Sequence, residues 1–411
     1  MAASPSGDYA LRDTHTERGA PMPNANDEIR PGIALALSGG GFRATLFHCG
    51  ALWRLNDLGY LPKLDRISSV SGGAITAGRL GVRWTALNFQ NDVATNLRQE
   101  IIDPIRSFCT RSVDTPAIVK GALLPGVSIS DLVQKAYEDH LLGPATLPTL
   151  PDRPNFVFNT TNLATGVSFR ISKPYAADYR IGMIERPLFR VALAVAASSA
   201  FHPVLSPVIV MIAPVVFKQT EGADLFSKAE YRERLVLTDG GAYDNLGLET
   251  AWKFQTVLVS DAGAPFGSVS GPATDWLGQT RRVLDIAVNQ SRALRKRWLI
   301  DRLKTTQQDG AYWGIMSEIE GYRLPSALKV SKETTATLAR IRTRLDPFSE
   351  AEQCSLINWG YAVCDAAMRK YVVLGATQSA SWPYPDYRLD HPLRLEVEPV
   401  TTDLPYPPEV P

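Results

Sequence analysis

The sequence is poor in the residues that build disulfide scaffolds and metal clusters. It has four cysteines, none of them in a Cys-x-x-Cys pair, and only five histidines. This usage excludes a small disulfide-stapled fold and gives no Cys/His cluster with the spacing of metal ligands, and free thiols are typical of a reducing compartment. The thiols are Cys49, Cys109, Cys354 and Cys364.

The chain also lacks an excess of charge of either sign. Its formal net charge is +1 over 411 residues. A protein this close to neutral has no overall field that draws it to nucleic acid or to a membrane, so any such attraction must be local. We therefore predict no nucleic-acid partner.

No targeting segment is evident, and no uninterrupted apolar segment crosses a bilayer. Residues 1–30 are polar with mixed charge, which predicts a flexible tail without a signal peptide and, with the free thiols, a cytoplasmic protein. Residues 191–217 hold His202 as their only titratable residue and are long enough to span a membrane. Three prolines interrupt them, so we predict a buried helix followed by an extended segment.

What the sequence does contain is an alternation of short apolar runs with helical patterns. This alternation predicts a three-layer α/β fold whose mainly parallel central sheet is flanked by helices. We expect one domain over residues 31–375, with 85–150 as a helical cap insertion, and a Pro-rich tail over 376–411. The predicted strands are 33–37, 67–70, 156–159, 168–172, 235–238 and 257–260, and the predicted helices are 43–58, 72–79, 187–200, 275–305 and 349–373.

A glycine loop, Gly39-Gly40-Gly41-Phe42-Arg43-Ala44, follows the first predicted strand. Its Gly39-x-Gly41-x-x-Ala44 spacing fits a dinucleotide-binding turn, in which glycines let a pyrophosphate approach a helix N-terminus. The same loop is also suited to offering backbone N–H groups to an oxyanion. A plain tight turn is the third interpretation. The absence of Gly-Lys-Ser/Thr excludes a Walker loop.

A second turn, Ser69-Val70-Ser71-Gly72-Gly73, lies between a predicted strand and a predicted helix. It matches the nucleophile elbow Gly-x-Ser-x-Gly except that Ser69 replaces the first glycine. Small neighbours are needed because the nucleophile sits on a sharp turn, and serine is still small. Ser71 would lie at a helix N-terminus, where the helix dipole favours developing negative charge. The alternative is an ordinary Ser/Gly turn.

A carboxylate at the end of a later strand, in Thr238-Asp239-Gly240-Gly241, is the third feature. If that strand is parallel, Asp239 lies on the edge where α/β sheets bind ligands. Aspartate is a weak base at its ordinary pKa, so a base role requires burial that raises the pKa. The alternative is an Asx-turn that closes the strand.

Histidine is poorly placed to complete a triad. Only His391 follows Asp239, and its Pro-rich surroundings are a poor seat for a preorganised base. His48 and His202 are interpreted as structural. A Ser/Asp pair without histidine therefore fits the sequence best.

Taken together, these motifs resemble the patatin-like phospholipases, which include the cytosolic phospholipase A2 type of catalytic domain. The resemblance is carried by the Gly-Gly-Gly-x-Arg loop, the Ser-Gly elbow about thirty residues later and the distal Asp-Gly-Gly. The blocks 196–203 and 239–247 are also similar to the family's, and the resemblance covers roughly residues 32–305.

The resemblance implies a lipid acyl hydrolase with a Ser71/Asp239 dyad and an oxyanion hole formed by the backbone of Gly39, Gly40 and Gly41. Arg43 would brace the glycine loop or meet the lipid phosphate. Ser198 and Ser199 would pack beneath the site. The family needs no metal or organic cofactor, and its lipid substrates imply peripheral contact with the inner membrane face.

Two alternatives stay open at this level. A nucleotide-binding oxidoreductase would use the glycine loop and needs a ribose-binding acid, for which Asp65 is the candidate although it precedes the second strand. A phospholipase effector switched on by a ligand is the other alternative, since some bacterial relatives are activated by signalling nucleotides.

The predicted helix at 275–305 is strongly basic. Its segment 281–304 carries eight basic and two acidic residues. Leu284, Ala287, Leu294 and Trp298 recur on it at helical spacing. A basic helix with an apolar stripe is able to dock on an anionic membrane. We favour the alternative, in which the stripe faces the core and the arginines pair with acidic neighbours.

Overall fold

A large mixed β-sheet organises the chain, as shown by a computed structural model that describes residues 29–115, 117, 128–263, 265–305, 307–374, 380–391 and 393. Most of the two predicted tails, 1–30 and 376–411, therefore lies outside the described residues. The same holds for 116 and 118–127 of the predicted insertion.

Thirteen strands are described, eleven of them in the large sheet and two, β3 and β4, in a small hairpin. They are β1 (Arg30–Leu37), β2 (Arg66–Ser69), β3 (Phe89–Gln90), β4 (Val93–Ala94), β5 (Asn155–Asn162), β6 (Val167–Ser172), β7 (Tyr175–Asp178), β8 (Gly182–Glu185), β9 (Val208–Met211), β10 (Phe217–Lys218), β11 (Arg234–Asp239), β12 (Phe254–Asp261) and β13 (Asp309–Gly314).

The centre of the sheet is parallel. Strands β5, β2, β1, β12 and β13 are neighbours in that order, and each adjacent pair is parallel. Beyond β5 the sheet continues antiparallel through β6, β7, β8 and β10. The predicted α/β fold is confirmed, and its parallel pairing belongs to the five central strands.

Ten helices are described on the two sides of this sheet. They are α1 (Gly41–Asp57), α2 (Gly72–Arg83), α3 (Asp103–Phe108), α4 (Ile129–Tyr137), α5 (Val191–Ser198), α6 (Glu230–Glu233), α7 (Gly241–Asp244), α8 (Trp276–Lys304), α9 (Lys332–Ala339) and α10 (Glu350–Tyr371).

Strand β1 separates two apolar cores. Its residues alternate between the faces of the sheet, as the two-residue period of a strand requires. Leu35 and Leu37 join the larger core with α1 and α10. Ala34 and Ala36 join a smaller core that includes Leu299 of α8. The layers are therefore helix, sheet and helix, with α8 and α10 on opposite faces.

The structure shows what forms in two segments singled out by the sequence, the predicted insertion at 85–150 and the long apolar run at 191–217. Residues 85–150 hold short helices and the β3–β4 hairpin, and their Phe108 and Tyr137 are buried in the same core as α1. Residues 191–217 form the buried helix α5 and then the extended strand β9, as predicted. Among the described residues, every helix is too short or too polar to cross a membrane.

Candidate active site

Ser71 occupies a strained turn between β2 and α2. Its φ of 50° and ψ of −118° lie in a region that residues other than glycine rarely adopt, and such backbone strain costs on the order of 1–3 kcal/mol. Helix α2 begins at Gly72, so Ser71 sits at the helix N-terminus as predicted. Its side chain is 8% exposed.

Hydrogen bonds from two other elements, α5 and β5, hold this turn. The Ser71 amide donates to the Ser198 hydroxyl oxygen at 3.0 Å, and the Ser198 hydroxyl donates to the Asn159 carbonyl oxygen at 2.7 Å. The Asn159 side-chain amide donates to the Ser69 carbonyl oxygen at 3.0 Å. Ser198 was expected beneath the site, whereas Asn159 was missed.

The glycine loop contacts the turn directly. A Cβ placed on Gly39 would lie 3.1 Å from the Ser71 Cβ, and one placed on Gly72 would lie 2.1 Å from the Gly41 carbonyl oxygen. Larger residues at either position would push the two loops apart. The sequence's small residues are therefore what lets the loop after β1 lie against the turn after β2.

The amides of the loop differ in their hydrogen bonds. The Gly39 N–H donates to the Asn245 carbonyl oxygen at 3.0 Å, so it is occupied and does not fit the donor role first predicted for it. Within the described part of the chain, the amides of Gly40 and Gly41 form no hydrogen bond. Gly41 opens α1, whose first N–H groups have no intrahelical partner. Two amides beside Ser71 are thus free to bind an oxyanion.

Arg43 braces this loop from inside the protein. It is 1% exposed, and its guanidinium donates to the carbonyl oxygens of Ala339 at 2.9 Å, Ile341 at 2.8 Å and Ala262 at 2.9 Å. Burial, and next the charge of Arg292, lower the pKa of Arg43 to about 9, which still leaves it charged at neutral pH. Of its two predicted roles, this geometry supports bracing and leaves no access to a lipid phosphate.

Asp239 ends strand β11, which runs opposite to the expected direction. The strand pairs antiparallel with β5, and Asp239 lies opposite Thr160. In the parallel pairing of β2 with β5, Ser69 at the end of β2 lies opposite Phe158, and β5 continues beyond Phe158. Strand β11 therefore approaches from beyond the carboxyl ends of the parallel strands, and Asp239 at its end reaches that edge. The assumption of a parallel strand was wrong, but the edge is the expected one.

Asp239 is 5% exposed, and among the described residues no cation acts on the pKa of its carboxyl. Burial raises its pKa to about 6, opposed by the Gly241 N–H and by the Ser71 hydroxyl, which lies within hydrogen-bonding reach. The Gly241 N–H donates to Oδ1 at 2.7 Å. Ser71 and Asp239 are therefore brought together, with a carboxylate of unusually high basicity.

Two of the described histidines, His48 and His391, have their polar contacts away from Ser71 and Asp239. His48 is buried, with Nδ1 2.8 Å from the Ser260 hydroxyl and Nε2 2.9 Å from the Ser38 carbonyl oxygen. Burial lowers the pKa of His48 to about 4, so it is neutral. His391 is exposed and lies 3.8 Å from Asp390. Neither hydrogen-bonds to Ser71 or Asp239, as the dyad hypothesis requires.

Asp65 does not lie where a ribose-binding acid is needed. Its carboxylate accepts the Ile33 N–H at 2.8 Å and pairs with Arg153 at 2.8 Å. It therefore sits at the amino ends of β1 and β2, away from the glycine loop at their carboxyl ends. No group of three or more potential metal ligands is present among the residues described.

A second buried aspartate, Asp261 at the end of β12, was missed by sequence reasoning. It is 2% exposed and accepts the Tyr312 hydroxyl at 2.7 Å and the Gly263 N–H at 2.9 Å. Arg292 of α8 lies 3.6 Å away. Burial acts to raise the pKa of Asp261, but Arg292 and the hydroxyl and amide donors outweigh it and hold the pKa below its ordinary value.

Helix α8 departs from the interpretation favoured for it. Its arginines do pair inward, because Arg292 faces Asp261 and Arg295 lies 3.1 Å from Glu249. The predicted stripe does not face the core, however. Leu284 and Leu294 are exposed, and only Trp298 packs inward, on Trp252. The helix is anchored by charge and leaves its apolar side in solvent.

Comparison with known proteins gives a family match. A family model described as Patatin-like phospholipase matches residues 35–252. No sequence among the curated proteins matches the chain.

Several solved structures are similar over most of the chain. Human GIVD cytosolic phospholipase A2 is 13% identical with a TM-score of 0.47, and the match covers 83% of this chain and 59% of that one. Its complex with methyl gamma-linolenyl fluorophosphonate is 14% identical with a TM-score of 0.46, and the match covers 84% of this chain and 58% of that one. VipD from Legionella pneumophila is 15% identical with a TM-score of 0.34, and the match covers 82% of this chain and 66% of that one. The chain thus spans less than two thirds of these structures.

Proposed function

This chain belongs to the patatin-like phospholipase family, whose model covers more than half of it, and from that premise we propose that it is a lipid acyl hydrolase of the phospholipase A type. The single observation that carries the proposal is the buried carboxyl of Asp239, within hydrogen-bonding reach of a serine on a strained turn. The substrate class is a phospholipid or another lipid carboxylic ester.

In the first half-reaction, the Ser71 hydroxyl oxygen attacks the ester carbonyl carbon while Asp239 accepts the hydroxyl proton. With a pKa of about 6, Asp239 is ionised at neutral pH yet more basic than an exposed aspartate. The tetrahedral intermediate then collapses, and the C–O bond to the alcohol breaks. Asp239 returns its proton to that departing alcohol, which leaves an acyl group on Ser71.

The second half-reaction repeats the sequence with water. Asp239 removes a proton from the water that attacks the acyl carbonyl, and it then protonates Ser71 as the fatty acid leaves. The same carboxyl thus serves as base and acid in each half-reaction, and the cycle needs no histidine.

Charge that develops on the carbonyl oxygen would be stabilised by the amides of Gly40 and Gly41. Both amides are free in the described part of the chain, and the loop that carries them contacts the Ser71 turn. Preorganised amide donors of this kind are worth roughly 3–4 kcal/mol each in the transition state of acyl transfer. Arg43 contributes by holding the loop, since it binds three carbonyl groups behind it.

We also propose that the protein works in the cytoplasm, with peripheral contact at the inner membrane face. All four cysteines are free and buried, which suits a reducing compartment. Cell fractionation tests this point, because recovery from an extracellular or periplasmic fraction would contradict it.

The activity is tested by measuring fatty acid release from phosphatidylcholine in mixed micelles. We expect release by the wild type and none above background from Ser71→Ala. Ser172→Ala is the matched control, because Ser172 is also a buried serine whose hydroxyl donates to a carbonyl oxygen, at 2.8 Å, but it lies in β6. Equal release by wild type and Ser71→Ala would refute the proposal.

A further inference from the structure

An apolar stripe runs along the solvent side of α8. Trp276, Val283, Ala287 and Leu294 follow one another at intervals of seven, four and seven residues, which places them on one side of a helix. Trp276 is 78%, Val283 64% and Leu294 59% exposed. Exposed apolar side chains are common singly, but a continuous row marks an interaction surface. We call these four residues the α8 stripe.

The other side of the helix explains why the stripe faces outward. Arg292 faces Asp261 at 3.6 Å, Arg295 pairs with Glu249 at 3.1 Å, and Lys296 lies 4.4 Å from the centre of the Tyr312 ring. Leu299 is the buried residue among them. Turning the stripe inward would leave buried carboxylates without their cations, which costs more than apolar contacts would return. The orientation is therefore fixed by charge.

The helix lies beside the candidate active site. The Ser291 hydroxyl donates to the carbonyl oxygen of Tyr243 in α7, at 3.4 Å. Asp285 acts electrostatically on His202, whose neighbour Phe201 is 52% exposed. The next residue back, Ala200, accepts the Asp239 amide at 3.0 Å. Short covalent and hydrogen-bonded steps thus connect α8 to the loop that carries Asp239.

We propose that the α8 stripe is the surface by which the protein docks on a lipid bilayer that contains anionic headgroups. Inserted into the interfacial region, the stripe would bury its apolar side chains and hold the site next to its substrate. The choice of lipid as the occupant rests on the proposed function. The exposure of the α8 stripe, as seen among the described residues, is independent of that function.

Charge supports the same occupant. Segment 281–304 holds eight basic and two acidic residues. Arg292, Arg295 and Lys296 are committed to the inner side described above, and Arg302 packs over the inward-facing Trp298 ring. Arg297 and Lys304 are exposed along the helix. A weakly basic rim around an apolar stripe, with a tryptophan at one end, matches an anionic interface.

Flotation with vesicles of phosphatidylcholine and phosphatidylglycerol tests the proposal. The protein carries Ser71→Ala, so that lipid is not consumed, and is compared with the same protein carrying Trp276→Ser, Val283→Ser and Leu294→Ser. We expect the stripe variant to bind at least about tenfold more weakly, since its apolar side chains no longer bury in the interface. Leu374→Ser is the matched control, because Leu374 is 78% exposed just beyond α10 on the opposite face.

Three outcomes would overturn the proposal. They are equal vesicle binding by the parent and the stripe variant, an equal loss with Leu374→Ser, or a parent dimer that the stripe substitutions convert to monomer. The last outcome would assign the stripe to a second copy of the chain.

A water-soluble short-chain ester, assayed with Ser71 intact, separates this proposal from the proposed function. The stripe substitutions should leave hydrolysis of that ester within about twofold of wild type, because the stripe residues are exposed and none belongs to the proposed catalytic residues. Stripe-dependent vesicle binding without any esterase activity would refute the proposed function alone. Esterase activity without stripe-dependent binding would refute the docking surface alone.

Discussion

Asp239 and Asp261 end β11 and β12, two strands that are consecutive in the chain but not adjacent in the sheet, and their carboxylates share one local geometry in opposite electrostatic surroundings. Each carboxylate accepts the N–H of a glycine two residues further on, at 2.7 Å and 2.9 Å. Each also faces one hydroxyl, that of Ser71 and that of Tyr312. The two carboxyls differ in whether a cation lies nearby. Arg292 lies 3.6 Å from Asp261, whereas no cation acts on the pKa of Asp239 among the residues described.

This difference decides what each carboxyl is able to do. Burial raises the pKa of Asp239 to about 6, while burial at Asp261 is outweighed by Arg292 and its pKa is lowered. A raised pKa means that Asp239 stabilises the fold at low pH and loses that contribution as pH rises through about 6. A lowered pKa means that Asp261 stabilises the fold at neutral pH and loses that contribution in acid. In the proposed mechanism, Asp239 is a base held at the expense of stability, whereas Asp261 has a structural role.

Of the substitutions at the two carboxyls, Asp239→Asn should produce the larger effect. Asparagine keeps the acceptor for the Gly241 N–H but cannot take a proton from Ser71, so we expect esterase kcat/KM to fall by about 10²–10⁴-fold. Thermal unfolding of the same variant should show equal or greater stability, since a buried charge has been removed. Normal activity in Asp239→Asn would remove the base from the proposed mechanism.

Asp261→Asn should affect stability instead of chemistry. It leaves Arg292 facing a neutral amide, and breaking a buried ion pair costs about 3 kcal/mol at the lower end of the usual range. We expect urea unfolding at pH 7 to show that loss, with activity per folded molecule retained within about tenfold. If Asp261→Asn instead stabilised the protein and Asp239→Asn destabilised it, the comparison would be reversed.

The pH dependence follows from the raised pKa of Asp239. Because only the ionised carboxylate accepts the Ser71 proton, kcat/KM on a soluble ester should fall about tenfold per pH unit below about 6 and level off above it. Circular dichroism over the same range serves as the control for unfolding. A profile with its midpoint near the ordinary aspartate value of 3.8 would contradict the burial argument.

Tyr312→Phe should give the smallest effect. It is the counterpart of Ser71→Ala, because each substitution removes the one hydroxyl that faces a buried aspartate. It removes the 2.7 Å hydrogen bond to Asp261, and we expect a stability loss of about 1–2 kcal/mol with activity unchanged. Ser71→Ala should have the opposite profile, with activity lost and stability little changed. Denaturant unfolding and ester hydrolysis, measured side by side, check both variants.

Local patterns in the sequence predicted much of the fold. The helices at 276–304 and 350–371 were placed within two residues, because helical periodicity fills both segments and a capping side chain, Asp275 or Ser349, precedes each. Strand β13 was missed, since its Asp309-Gly310 start and small residues give no apolar run. In the antiparallel extension, β6 was predicted as the strand 168–172, whereas β7, β8 and β10 were missed because such short strands depend on pairing with their neighbours.

Residues of the candidate site that stand in a local sequence motif could be predicted. Residues that act through a partner remote in sequence could not. Ser71, Asp239 and the glycine loop stand in recognisable turns. Asn159 and Asp261 support the site through single polar side chains whose partners are remote in sequence, and no local pattern identifies them. The outward stripe of α8 was missed for the same reason, because the acidic partners of its inner side lie elsewhere in the chain.

Covalent labelling with a fluorophosphonate tests the central claim, that Ser71 is activated by Asp239 alone. The modified residue is identified by peptide mass spectrometry, and the labelling rate is followed from pH 5 to 8. We predict a single adduct on Ser71, a rate that rises through pH of about 6, and a rate at least about 100-fold lower in Asp239→Asn. An adduct on another residue, or an unchanged rate and pH profile in Asp239→Asn, would contradict the account.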